Sequence, residues 1–311
     1  MKDLTGIIDV GSNSIRLCIY EIADAKSLDF KMIFNAKRPV GLASYVEDGE
    51  LSSAGIKAAA KAIRAFMTQA KLFSCRNVLV FATAAVRNCS NSKKVVASLQ
   101  KQCDCKIQVL SGEEEAAFSC MGIAHEVNTR DGVFIDLGGA STEFTVLKDS
   151  KIKECWSIPQ GALSSWNTYV RSVLPTQTEL GEIASSYDEF FLPYVSKIPT
   201  GVDFYITGGS ARTAARVFAR LQGLDKKPEW IDVNTIQEIF GWYERDACLM
   251  SHLMLSVNVG RIHTLLPGCQ IISRIFECTG ASSMRISKSG VREGFLIDYL
   301  QSRTQKGRKS A

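Results

Sequence analysis

Two stretches, IIDVGSNSIRLCIYEI at Ile7–Ile22 and FIDLGGASTEFTVLKD at Phe134–Asp149, share one plan. Each is an apolar run ending in Asp, a short x-Gly turn, a Ser at the same offset and a second apolar run. Asp9 aligns with Asp136, Gly11 with Gly138, Ser14 with Ser141 and Arg16 with Glu143. Apolar, β-branched runs on both sides of a glycine turn predict a hairpin in each copy. Matched copies so far apart in one chain predict a duplicated domain.

Working outward, Val78–Phe81, Ile107–Leu110 and Phe204–Thr207 read as strands, and Ala54–Leu72, Glu113–Ala124 and Ala211–Leu221 as helices. A helix-rich stretch follows from Thr235 to Cys278, then a final strand and helix within Ser283–Leu300. Short strands alternating with helices predict α/β layers. At 311 residues two domains are expected. No low-complexity linker divides them, so the repeat sets the boundary near residue 128, giving 1–128 and 129–311. The basic tail with Arg303, Lys306, Arg308 and Lys309 is expected to be a solvated, frayed end.

The turns suggest chemistry. Glycine lets the backbone approach an anion, and successive turn N–H groups form a concave phosphate cradle. Ser12 in the first copy, and Gly138, Gly139, Ser141 and Thr142 in the second, are the candidate binding residues, with hydroxyls as neutral donors. An Asp at the strand end would repel phosphate unless a cation lay between, so Asp9 and Asp136 predict a bridging magnesium or a positioned water. The two copies are then expected to face each other across a cleft. The plainer alternative is two hairpins whose Asp and Ser stabilise their own turns.

A third glycine turn, ITGGSARTAAR at Ile206–Arg216, places Gly208, Gly209 and Ser210 between a strand and a helix, where free N–H groups attract anions. Ser210 alternatively serves as an N-cap. Arg212, Arg216 and Arg220 recur at intervals of four, forming either a basic track or a solvated stripe. In SGEEEA at Ser111–Ala116, successive helical residues point about 100° apart, so only one of Glu113, Glu114 and Glu115 can aim into a cleft. Arg87 in ATAAVRN offers a planar donor fork suited to phosphate oxygens.

Composition narrows the class. Hydrophobic residues at 46% and charged residues at 22% are ordinary globular usage. The apolar Leu4–Val10 run is too short for a signal segment and no stretch could span a membrane, so a cytoplasmic protein is expected. Ten cysteines without a Cys-x-x-Cys pair read as reduced thiols; Cys103 and Cys105, the only close pair, would share a face if they lay in a strand. Three scattered histidines argue against a histidine-built metal centre, leaving carboxylates and substrate oxygens, the habit of magnesium. A net charge of +5 fits an anionic substrate without indicating nucleic acid.

The ordered blocks DVGSNSIRL, ATAAVRN, SGEEEA, IDLGGASTEF, TGGSARTAA and SGVREGFL, spanning residues 9–296, resemble the exopolyphosphatase and guanosine pentaphosphate phosphohydrolase (Ppx/GppA) family. The resemblance implies two actin-like, ribonuclease-H-type (ASKHA) domains with the active site between them. It implies magnesium-dependent release of orthophosphate from inorganic polyphosphate or from guanosine pentaphosphate (pppGpp). Carried over, Glu114 is the carboxylate that activates water, Asp136 and Glu143 stand around the metal, and Arg87 clamps phosphate. Asn13, Arg16, Gly138 and Ser141 hold the phosphate chain. Inorganic polyphosphate is the leading substrate, pppGpp the alternative, and a homodimer the default assembly.

Three departures bear on activity. Ala140 replaces the usual third glycine of the second cradle, IPQGALSSW lacks the arginine that usually follows its glycine, and His263 stands where an aspartate is common. The long members' helical C-terminal extension has no counterpart before residue 311, so a short form of the family is expected. These departures motivate a competing reading, a catalytically weak sensor that binds polyphosphate or an alarmone. An ATP-dependent small-molecule kinase on the same broad fold is disfavoured by SGEEEA and VREGFL.

Overall fold

A computed structural model describes residues 3–309. In chain order its elements are β1 (Asp3–Val10), β2 (Ser14–Asp24), β3 (Asp29–Pro39), β4 (Val46–Glu47), β5 (Glu50–Leu51), α1 (Ser53–Leu72), β6 (Asn77–Ala82), α2 (Ala84–Arg87), α3 (Ser92–Cys103), β7 (Gln108–Val109) and α4 (Gly112–Val127). They continue with β8 (Gly132–Leu137), β9 (Thr142–Lys148), β10 (Lys151–Ile158), α5 (Ala162–Tyr169), α6 (Gln177–Val195), β11 (Phe204–Gly208), α7 (Gly209–Leu221), β12 (Trp230–Asp232), α8 (Val233–Arg245), α9 (Ala247–Asn258), α10 (Leu265–Thr279), β13 (Ser283–Ile286) and α11 (Val291–Lys309).

The chain divides into residues 1–118 with 292–311, and residues 119–291. This differs from the expected division at 128. α4 begins in the first unit and ends in the second, and the C-terminal helix belongs with the first. The close approach of Gly294 explains the return of that helix: a Cβ there would collide with the Phe118 carbonyl. Phe295 packs edge-on against Phe118 and tilted against Phe81.

In the first unit the sheet order is β3-β2-β1-β6-β7. β1, β2 and β3 form an antiparallel meander, and β6 and β7 continue parallel to β1. Ile8, Val10, Ile15, Leu17 and Ile19 are buried together with Ala59, Ile63 and Phe66 of α1. The second unit has the order β10-β9-β8-β11-β13-β12, with β10, β9 and β8 antiparallel and β11 and β13 parallel to β8. β12 closes the edge antiparallel to β13. Its core joins Val133, Ile135, Leu137 and Phe144 to Phe191 of α6 and Ile275 of α10.

Several local expectations change. The predicted strand at 107–110 pairs only at Gln108–Val109. Cys103 ends α3 and Asp104 turns left-handed with φ 47°, so Cys103 and Cys105 do not share a strand face. All ten cysteines are free thiols. The basic tail continues α11 to Lys309; Arg303 is exposed, and the side chains of Lys306, Arg308 and Lys309 lie outside the description.

Candidate active site

Both glycine turns are held by the same backbone bond. Gly11 N–H donates to Ser14 O at 3.3 Å, and Gly138 N–H donates to Ser141 O at 3.0 Å. The turn carbonyls are drawn into the protein. In the first turn Ser12 O accepts from Ala43 N, and Asn13 O accepts from Val40 N and Gly41 N. In the second, Gly138 O accepts from Ala162 N, Gly139 O from Leu163 N and Ser164 N, and Ala140 O from Ser164 Oγ. Within a planar trans peptide the C=O and the next N–H point in opposite directions. The N–H groups of Asn13 and Ser14, and of Gly139, Ala140 and Ser141, therefore aim away from those contacts, the arrangement an anion cradle needs.

Ala140 raises no backbone cost. It is absent from the positive-φ residues, so its methyl group is compatible with the turn. The demanding position is Gly161, the glycine of IPQGALSSW, whose close approach to the turn the sequence does not announce. A Cβ at Gly161 would lie 2.7 Å from Gly139 C and from Ser141 N. Ser164 accepts the Gly161 N–H and ties the start of α5 to the turn, in the segment where the expected arginine is missing.

The strand-end residues meet across each hairpin. Asp9 is in register with Arg16, and Asp136 with Glu143. Asp136 Oδ2 accepts from Ser119 Oγ at 3.0 Å, and Glu143 Oε1 accepts from Ser157 Oγ at 2.9 Å. The second unit therefore sets two carboxylates side by side, each oriented by a hydroxyl. Like charges directly opposite on a sheet are destabilising, and all four residues offer hard oxygen donors. This set fits a magnesium ion at Asp136 and Glu143.

Asp9 differs. Its carboxylate lies 3.4 Å from Arg292 Nη1, so the cation that the charge argument required is supplied by the protein. Burial pushes the Asp9 carboxyl up from its usual range, against the pull of Arg292 and Arg16. Burial acts to lower the Arg292 pKa, but Glu293, Cys18, Asp9 and Tyr20 outweigh it, and the net shift is upward. Tyr20 Oη donates to Glu293 Oε1 at 2.5 Å, closing a buried polar cluster on β2 and α11.

The three glutamates separate cleanly. Ser111 caps α4: Glu114 N–H donates to Ser111 Oγ at 3.1 Å, and Ser111 N–H donates to Glu114 Oε2 at 2.8 Å. Glu114 is exposed. Glu113 accepts from Ser111 Oγ. Glu115 pairs with Arg87, whose Nη1 reaches Glu115 Oε2 at 2.7 Å and Leu110 O at 3.0 Å. Part of the donor fork expected to clamp phosphate is thus engaged within its own unit.

Other expectations need revising. Thr142 is buried and its hydroxyl donates to Gln160 O at 2.7 Å, which removes it from the hydroxyls offered to a ligand. Ser210 is not the N-cap of α7, because Gly208 holds that place with φ 117°. Ser210 is wholly buried against Gly268, and its hydroxyl has no hydrogen-bond partner among the described residues. Arg212 Nη1 donates to Thr207 Oγ1 and Ser287 O, joining the ends of β11 and β13. His263 packs edge-on to Trp166, and burial with Arg261 nearby holds its pKa below the usual value. Among the described residues no cluster of three or more His, Cys, Asp and Glu is gathered for a metal.

The repeated meander running into parallel strands, backed by helices in each unit, is the duplicated actin-like, ribonuclease-H-type α/β fold. A family model described as the Ppx/GppA phosphatase family matches residues 18–303, and the chain belongs to that family. It is 26% identical over 310 residues to a guanosine-5'-triphosphate,3'-diphosphate pyrophosphatase of Aeromonas hydrophila, and 24% identical over 309 residues to one of Vibrio cholerae. Each alignment covers 96% of this chain and 59% of the relative, so the chain spans well under two thirds of their length. Among solved structures, the Aquifex aeolicus Ppx/GppA family member superposes with TM-score 0.78 at 22% identity, covering 97% of this chain and 99% of that one. An exopolyphosphatase from Cytophaga hutchinsonii gives TM-score 0.83 at 18% identity over 96% and 98%. At these identities the superpositions speak to the fold. No helix among the described residues is long and apolar enough to cross a membrane.

Proposed function

We propose that this chain hydrolyses a terminal phosphoanhydride, releasing orthophosphate from inorganic polyphosphate, with pppGpp as the second substrate candidate. The observation that carries the reading is the repeated turn. In both units a glycine turn turns its carbonyls inward and its N–H groups outward, beside a strand-end Asp. The names of the relatives favour pppGpp, and that of the Cytophaga hutchinsonii structure favours polyphosphate.

In this reading the N–H groups of the turns bind and orient the phosphate chain, and Ser12 and Ser141 contribute from the turns themselves. Glu114 takes the proton of the attacking water. One carboxylate oxygen caps α4 and the other is the acceptor, so the helix fixes the base without consuming it. Arg87, held by Glu115 and Leu110 O, presents its remaining N–H groups to phosphate. Asp136 and Glu143 hold magnesium, which when bound supplies charge neutralisation on the phosphoryl oxygens. Positioning and electrostatics dominate such a transfer.

The test is orthophosphate release from long polyphosphate and from pppGpp, with and without magnesium, by the protein and by Glu114→Gln. Metal-dependent release that falls by about 10²-fold or more in the variant is expected. Undiminished release from Glu114→Gln would remove Glu114 from the mechanism. Binding without release would favour the sensor.

A further inference from the structure

Arg216 and Arg220 are solvent-exposed on α7, yet they share one recess. Both line a cavity of about 610 Å³ within the second unit, together with Lys227, Asp225, Leu224 and Val257. None of the three cations makes a salt bridge or a side-chain hydrogen bond among the described residues. Arg216 and Arg220 are four apart on one helix, a like-charge spacing that costs stability when nothing lies between them. Burial and the nearby Lys288, Arg216 and Arg212 hold the Lys227 ammonium below its usual pKa, against Glu229. The cations facing the cavity thus repel one another, with Asp225 and Glu229 as the acids nearby.

We propose that this cavity is a second anion site that takes a run of phosphates from an inorganic polyphosphate chain whose end is engaged elsewhere. The chemistry selects phosphates over a nucleobase, because no aromatic side chain lines the cavity. It also has direction. From Arg212, tied to the third glycine turn, to Arg220 is eight residues of helix, about 12 Å. α7 thus leads a basic track from the turn to the cavity. The proposal rests on polyphosphate being the substrate, and it predicts that the site serves long chains and not short ones.

The experiment compares the full chain with Arg216→Gln/Arg220→Gln/Lys227→Gln. Arg216 and Arg220 are exposed and Lys227 is half-buried, so the fold should survive, which circular dichroism verifies. Equilibrium binding is measured in EDTA with three probes: long inorganic polyphosphate, tripolyphosphate, and single-stranded DNA of matched charge. Losing three charge-assisted contacts is expected to weaken long-chain binding at least about tenfold, with a shallower salt dependence, while tripolyphosphate changes less than about twofold. Unchanged long-chain binding, or equal losses for both phosphate probes, overturns the site. DNA bound as tightly as polyphosphate, and lost equally in the variant, overturns its assignment to phosphate chains. If long-chain binding falls as expected but the chain releases no orthophosphate, the cavity stands and the hydrolytic reading fails.

Discussion

Asp136 and Glu143 are direct cross-strand partners on β8 and β9, two carboxylates in register where the first unit sets Asp9 opposite Arg16. Such partners have Cα atoms about 4.5–5.5 Å apart. Glu143 is 1% exposed, so water screens this repulsion poorly. A divalent cation bound by both would relieve it. Magnesium is therefore expected to raise the melting temperature, by about 2–4 °C per kcal/mol of relief. Glu143→Gln should raise the metal-free value and abolish the magnesium shift. Scanning fluorimetry in EDTA and in magnesium reads both, and an unchanged shift in the variant would exclude Glu143 from the metal set.

Gly161→Ala tests the second cradle without touching a charged group. The added methyl would sit 2.7 Å from Gly139 C and Ser141 N, so the turn or α5 must move. A cost of about 1–3 kcal/mol is expected, with weakened phosphate binding. Gly181→Ala in α6 is the control, because nothing lies within 4 Å of its Cβ. It should stabilise by about 0.5–1 kcal/mol. Urea unfolding separates the two, and equal behaviour would contradict the close approach at Gly161.

The hairpins were legible because their glycine turns and apolar runs are local signals that occur twice. The third strand of each meander was not. β3 is an edge strand that alternates half-buried and exposed residues such as Lys31, Lys37 and Arg38, and β10 begins with exposed Lys151 and Lys153. Neither carries the apolar run that marks β1 or β8. Spacing along a helix could say that one of the three glutamates differs from its neighbours, but not which. Ser111 decides that for Glu113 and Glu114, and Arg87, distant in sequence, decides it for Glu115. Ser119, Ser157 and Arg292 act on the strand-end acids from other elements, and no local pattern announces such partners.

Glu126 gives a pH prediction. At the end of α4 its carboxylate accepts from Ser287 Oγ and from the N–H groups of Lys288 and Ser289, fixing the loop whose Gly290 lies against Asp136 and Thr207. Partial burial pushes its pKa up, but these hydrogen bonds outweigh that and hold it below the ordinary 4.5. A depressed folded-state pKa contributes stability that is present above the unfolded value and is lost as pH falls through the folded one. Glu126→Gln should flatten the acid limb of melting temperature against pH below about 4.5, leaving the neutral range shifted but parallel. An unchanged acid limb would mean that the loop is held by something else.

The Asp9–Arg292 pair ties the first strand to the C-terminal helix across 3.4 Å, with side chains 23% and 15% exposed. Removing one member leaves the other charge partly buried without its partner, which costs more than an exposed pair would and less than a fully buried one. About 2–3 kcal/mol is expected for Arg292→Met, which strands the carboxylate, and clearly less for Asp9→Asn, which removes a carboxylate whose ionisation the fold disfavours while Arg292 keeps Glu293 nearby. The double variant should cost less than the sum by about 1–2 kcal/mol, because it leaves no stranded charge. The pH dependence supplies a second reading. The raised pKa of Asp9 means that its ionisation opposes folding, so its contribution declines as pH rises from the ordinary 3.8 through the folded value. Asp9→Asn should remove that decline while Arg292→Met deepens it, because the arginine is what holds the folded pKa down. Additive costs and parallel pH profiles for the two single variants would show that Arg292 serves Glu293 and Tyr20 rather than the strand-end acid.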